Sequence, residues 1–270
     1  VGPETICIGR QVVVRLSGEV EGIEGFGAAP EHGGLVLDLE VTRDPVPDLG
    51  PVEPVFESTG LWKVGRAGPA HVFTLPHLVA IVDFEAGSGR IHHVDPSAPA
   101  FDYPLDEVVF SKLLAERSAV IVHAAGVEHA GRGIILAGGS GAGKSTLASL
   151  FDAREHTHVL SDERVALFVD KGRFRISGTP WHGTSGHALD RSVVLERILF
   201  LHHATVNRIE PLAPIDTAAR LASLSVIPYW HEVSSRGAID AGVEAARAVP
   251  AASLGFVPDR SAVEHVIRSL

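Results

Sequence analysis

The sequence predicts an α/β domain over residues 104–270, preceded by a mostly β region over residues 1–103. Two patterns carry this prediction. From Ile6 to about Val94, short β-branched and aromatic runs alternate with Gly, Pro, Asp and Glu clusters, and no segment of helical length lies between them. After Pro104 a three- and four-residue apolar period sets in, and strand-like runs then alternate with helical ones.

In the first region the expected strands are Val12 to Leu16, Leu35 to Val41, Leu61 to Val64, Val72 to Leu75 and Leu78 to Phe84, paired antiparallel. Asp44 to Glu57 carries Pro45, Pro47, Pro51 and Pro54, so it reads as an irregular loop or an edge element, because proline cannot donate to a central ladder. In the second region Leu105, Val108, Val109, Leu113 and Leu114 share one helical face. Asp106 and Glu107 lie in its first turn and Lys112 and Arg117 later, as the helix dipole favours. Strands are expected at Ala119 to His123, Gly133 to Ala137, Val159 to Ser161, Val165 to Val169 and Arg173 to Ile176. Helices are expected at about Lys144 to Phe151 and Asp216 to Ser223. Ser261 to Glu264 reads as a capping box opening a final helix with Val263, Val266, Ile267 and Leu270 on one face.

Charge and composition narrow the function classes. Lys and Arg total 23 against 33 Asp and Glu, a formal charge of −10, without a concentrated basic block. That balance argues against a nucleic-acid or anionic-membrane surface. The apolar runs are far shorter than the ~20 residues that span a bilayer, and no charged-then-apolar signal segment opens the chain. Cys7 is the single cysteine, so no internal disulfide is expected. There is no methionine, which fits a removed initiator or an alternative start. The expected setting is the cytoplasm.

Gly138-Gly139-Ser140-Gly141-Ala142-Gly143-Lys144-Ser145 matches G-x-x-x-x-G-K-[ST] at every fixed position, between the apolar run Ile134 to Ala137 and the helical Ser145-Thr146-Leu147-Ala148. Glycines let successive backbone N–H groups converge on phosphate oxygens, and the helix N-terminus adds partial positive charge. The pattern predicts nucleotide binding by residues 138–146, with Lys144 on the β- and γ-phosphates and Ser145 supplying a hydroxyl to Mg²⁺. Val159-Leu160-Ser161 then ends in Asp162 and Glu163, an arrangement that brings a carboxylate to Mg²⁺ or to a hydroxyl nucleophile. Asp162 follows Lys144 by only eighteen residues, room for one short helix and a return strand. This spacing, without an LSGGQ-like segment, favours a kinase over motor or transporter NTPases. A surface turn with two solvated acids is the competing reading of the pair.

From His123 in HAAGV, through GRGIILAGGSGAGKSTLASL, to LSDERVAL, the segment resembles the catalytic domain of bacterial HPr serine kinase/phosphorylase and its HPr-kinase-like relatives. The resemblance covers roughly residues 119 to 256. It implies a phosphoenolpyruvate-carboxykinase-like P-loop fold with a mixed sheet. It also implies an ATP-dependent, Mg²⁺-requiring kinase acting on a serine of a protein or peptide, with homo-oligomerisation as in true HPr kinases. By the same resemblance Asp162 is the proton acceptor, Glu163 stands near Mg²⁺ together with Ser145 and Asp162, and His123 lies beside the phosphates. A histidine between Val122 and Ala124 at a strand end is equally at home as a packed core residue. The family's glycine-rich stretch of the LEVRGLGI kind is replaced by Gly178 to Gly183, so neither phosphorolysis nor HPr as acceptor is implied.

Two other readings stand beside the serine kinase: a small-molecule P-loop kinase using the same acid, and a regulatory module that binds ATP without transfer. The pairs His92-His93, His156/His158 and His202-His203 lack Cys partners and H-E-x-x-H spacing and read as ordinary histidines. Trp181 fits a stacking role and a buried anchor equally well.

Overall fold

The computed structural model describes residues 4–20, 25–28, 34–95 and 97–270. They fall into two compact units, one of Val1–Leu113 with Tyr229–Glu232 and the other of Leu114–Pro228 with Val233–Leu270. The division therefore lies ten residues beyond Pro104, and a short later segment belongs to the first unit.

The first unit is built on a sheet of eight strands: β1 (Glu4–Ile8), β2 (Val12–Gly18), β3 (Leu35–Thr42), β4 (Glu53–Glu57), β5 (Lys63–Ala67), β6 (Ala70–Leu75), β7 (Leu78–Asp83) and β8 (Ser88–His93). Their spatial order is β1-β2-β3-β8-β7-β6-β5-β4. The expectation of purely antiparallel pairing fails at β3, which runs parallel to both β2 and β8. Long connections on each side of β3 provide the dozen or more residues that a parallel crossover needs. The strand expected at Leu61 to Val64 lies two residues later, leaving Leu61 exposed. The proline-rich segment contributes β4 only as a fully exposed edge strand.

Helix α1 (Leu105–Ala115) belongs to the first unit up to Leu113 and leads the chain into the second unit. Its further elements are β9 (Val120–Val122), β10 (Ala124–His129), β11 (Arg132–Ala137), α2 (Lys144–Asp152), β12 (Thr157–Ser161), β13 (Val165–Asp170), β14 (Arg173–Ser177), β15 (Ser192–His203), β16 (Arg208–Pro211), α3 (Pro214–Leu224), β17 (Ser225–Val226), α4 (Glu232–Ala248, from Val233 in this unit), β18 (Ala251–Phe256) and α5 (Arg260–Arg268). The sheet runs β12-β10-β11-β15-β14-β13-β9-β17, and β18 pairs with β15 and β16. It is mixed: β11, β15 and β18 are mutually parallel neighbours among antiparallel strands. The protein is thus α/β with mixed sheets and mostly strands.

Both faces of this sheet are covered. Ile135 and Ala137 pack with Leu221, Ala238, Ala241 and Ala245 of α3 and α4. Ile134 and Leu136 pack with Leu147, Ala148 and Phe151 of α2 and Val263 and Val266 of α5. Burial on both sides explains why β11 reads as an unbroken apolar run instead of an alternating one. The β10–β11 hairpin turns on Ala130 and Gly131, at φ 49° and 79°, as a type I′ turn requires.

The final helix starts one residue before the expected box. Asp259 is its N-cap and accepts the backbone N–H of Ser261, which lies inside the first turn. A carboxylate at this position satisfies the orphan donor more strongly than a serine hydroxyl.

Candidate functional site

Strand β11 delivers the chain to Gly138 at the C-terminal edge of three parallel strands, the edge where ligands gather in α/β sheets. Helix α2 leaves from Gly143, whose φ of 94° and ψ of 19° place it in the left-handed region, and no side chain caps the helix. The site favours glycine twice over, because a Cβ there would lie 2.5 Å from the Phe256 ring. At Gly139 and Gly141 an added Cβ would meet no atom within 4 Å, so the loop borders open space. Gly139, Ser140, Gly141 and Thr146 are exposed, whereas Gly138, Ala142, Gly143 and Ser145 are half-buried.

Lys144 folds back over the loop that precedes it. Its buried ammonium donates to the Gly138 carbonyl at 2.8 Å and the Gly139 carbonyl at 3.2 Å. Burial pulls this ammonium below the ordinary lysine value, and Glu163 offsets part of that pull. The far side of the loop is held by His203, whose Nε2–H donates to the Gly141 carbonyl at 2.7 Å. The His203 ring also stacks on Phe256. Ser145 and Thr146 occupy the first turn of α2, and neither side chain hydrogen bonds to another described residue.

The two acids that follow β12 part company. Glu163 faces the cations: its carboxylate is 3.4 Å from His123 Nδ1 and 3.5 Å from the Arg164 guanidinium, and it acts electrostatically on Lys144. Burial, then Lys144, and also Arg164 keep the His123 imidazole below its ordinary value, with Glu163 opposing. Asp162 turns instead toward the segment after Gly178. It is buried, accepting the Gly183 N–H at 2.8 Å on Oδ1 and the Ser185 N–H at 2.9 Å on Oδ2. Burial works hardest against its ionisation, but these bonds and one from the Ser185 side chain outweigh it and hold the carboxyl below the usual range.

Ser161, between strand and acids, fixes the turn. Its hydroxyl accepts the N–H groups of Glu163 and Arg164 and donates to the Trp181 carbonyl. Thr179 donates to the Arg164 carbonyl, and the Arg164 guanidinium lies 6.0 Å from the Trp181 ring centre. Sequence reasoning did not find His203, Phe256 or the donors at Gly183 and Ser185. The first two approach the loop only through the parallel register of β15 and β18, which pairs His203 with Phe256. The last two are backbone groups, invisible to residue type.

Comparison with known proteins adds a family. The profile described as SynChlorMet cassette protein ScmC matches residues 106–248, more than half of the 270 residues. The chain belongs to that family. In this ScmC-family chain the match takes in the glycine-rich loop, both acids and the 178–186 segment, and stops before Phe256. No curated protein matches the sequence. Among solved structures the Hpr(Ser) kinase/phosphatase from Coxiella burnetii aligns at 13% identity and a TM-score of 0.30, covering 55% of this chain and 88% of that one. A superposition this loose carries no functional argument. In the ScmC-family chain no helix among the described residues is long and apolar enough to cross a membrane. Nor do three His, Cys, Asp or Glu residues gather into a metal cluster among them.

Proposed function

We propose that residues 138–146 bind ATP and that this HPr-kinase-like protein transfers the γ-phosphoryl group to a serine of a protein or peptide. The observation that carries the reading is the buried Lys144 ammonium clasping the carbonyls of its own loop, at an uncapped helix start bordering open space. Backbone N–H groups at such a start receive phosphate oxygens, and the lysine supplies charge without competing water.

Mg²⁺ fits the residues present. The Ser145 hydroxyl is unengaged among the described residues, and Glu163 sits among cations and acts electrostatically on Lys144. Ser145 and Glu163 would hold the ion, which neutralises charge on the phosphates when bound, whereas Asp162, the third expected ligand, has both oxygens taken by the Gly183 and Ser185 N–H groups. The rest falls to this chain's own groups. Lys144 stabilises charge on the transferring group, His123 offers a neutral imidazole beside it, and Asp162 accepts the serine proton.

A second reading, an ATP-binding regulatory module, is favoured by one observation: backbone N–H groups already engage both Asp162 oxygens, which weakens that carboxylate as a base. Incubation with γ-labelled ATP, HPr and short serine peptides separates the two. Transfer to a serine supports the kinase, and its loss by at least about a hundredfold in Lys144→Ala places the chemistry at this loop. Intact ATP binding with no transfer to any acceptor overturns the kinase reading and leaves the module.

A further inference from the structure

The opposite end of β11 carries a cavity of about 380 Å³, lined by His129, Leu150, Ala153, Arg154, Glu155, Arg260 and Val263. Strand β11 runs from the hairpin that carries His129 to the glycine-rich loop, and none of residues 138–146 lines the cavity. We propose that this cavity is a separate anion site, taking a small ligand with a phosphate or carboxylate head group and an apolar body.

The wall chemistry is divided as such a ligand requires. Leu150, Ala153 and Val263 give the apolar side, where α2 ends against the start of α5. His129, Arg154 and Arg260 give the cationic side. Arg132, outside the lining, stands directly across the hairpin from His129 and acts on it electrostatically. Burial first, then Arg132, Arg154 and His156, hold the His129 imidazole below its ordinary value, so the charges acting on it are cationic.

These cations are poorly compensated. The side chains of Arg132 and Arg260 make no hydrogen bond or ion pair with another described residue. Arg154 has only a loose 3.8 Å approach to Glu264. Glu155 is the one acid in the lining, against Arg154, Arg260 and His129, and Glu264 approaches Arg154 from outside it, in a chain whose formal charge is −10. His129 Nδ1 meets the Thr157 hydroxyl at 2.8 Å, which leaves Nε2 as the ring nitrogen without a protein partner. Planar guanidinium groups around a part-apolar cavity match an oxyanion head on an organic body.

The test is calorimetric titration of the full chain with phenyl phosphate and, separately, phenylacetate, each without and with saturating ADP. Binding of either probe by the wild type is expected, and the pair of titrations distinguishes a phosphate head from a carboxylate. Arg154→Ala/Arg260→Ala is expected to weaken that binding at least tenfold while leaving ADP affinity unchanged. Arg260→Glu alone, at an exposed position, is expected to weaken it without lowering the melting temperature. The proposal is overturned if the wild type binds neither probe, if the double variant binds like the wild type, or if ADP displaces the probe. Failure of ADP to bind would refute the nucleotide reading and leave this site untouched.

Discussion

The glycine-rich loop and the acidic turn after β12 were both marked by sequence, yet the structure holds them in opposite ways. The loop is closed by its own neighbour: Lys144 reaches back five and six residues to the carbonyls of Gly139 and Gly138. The acidic turn is closed from a distance, since Asp162 is gripped by N–H groups twenty-one and twenty-three residues later. A motif whose contacts are local keeps its geometry wherever it is placed. An acid whose contacts are distant takes its role from whatever segment folds over it. Asp162 therefore fastens the 178–186 segment as much as it faces any ligand, while Glu163 alone turns to the cations.

Breaking the distant clasp is expected to produce the largest effect on stability. Asp162→Ala leaves two N–H groups without their charged acceptor, and hydrogen bonds to charged groups contribute up to about 3 kcal/mol. That loss corresponds to a melting temperature lower by about 6 to 12 °C. The carboxyl is depressed in the folded state, so its stabilisation is present above the unfolded value of about 3.9 and lost as pH falls through the folded one. Urea midpoints at pH 7 and near pH 3 should differ more for the wild type than for Asp162→Asn. Equal differences would show that Asp162 does not fasten the segment.

Gly183→Ala tests the same clasp more gently. A Cβ at residue 183 would lie 2.8 Å from Asp162 Oδ2 and 3.3 Å from Glu163 Oε2. The Asp162 oxygen is bonded to Ser185 and has little freedom to yield. Crowding of this kind costs about 1 to 2 kcal/mol, to be read as a lower urea midpoint. In Asp162→Ala the same substitution should cost less, since the group it strikes is gone. An additive double variant would refute the contact.

How much was legible follows the same division of local and distant. Strand β11, helix α2 and the loop between them were readable because their signals, an apolar run, glycines and a lysine, sit side by side in the chain. Helix α4 was not, since its buried face is made of Ser234, Ala238, Ala241, Gly242, Ala245 and Ala246, small residues that give almost no apolar period. The parallel pairing of β3 was hidden because a strand's own pattern does not encode the direction of its neighbour. Asp162 and Glu163 were recognised as a pair, but which one faces the loop depends on where Gly183 and Ser185 arrive. The Asp259 cap escaped because Ser261 and Glu264 satisfy the same spacing rule two positions later.

The smallest effect tests whether the loop is as self-sufficient as the comparison makes it. His203 is a distant side chain that hydrogen bonds to the loop, through the Gly141 carbonyl. A single such bond contributes about 1 kcal/mol, so His203→Ala should weaken ATP binding roughly fivefold. His203→Gln retains an N–H donor of similar reach and should recover most of that loss, whereas a residue needed only for stacking on Phe256 would not be rescued. Gly143→Ala probes the other side of the same stack, since its Cβ would press on the Phe256 ring. If His203→Ala binds ATP as the wild type does, Lys144 holds the loop without help. If it loses binding as completely as Lys144→Ala, the loop is no more local than the acidic turn, and the contrast between the two disappears.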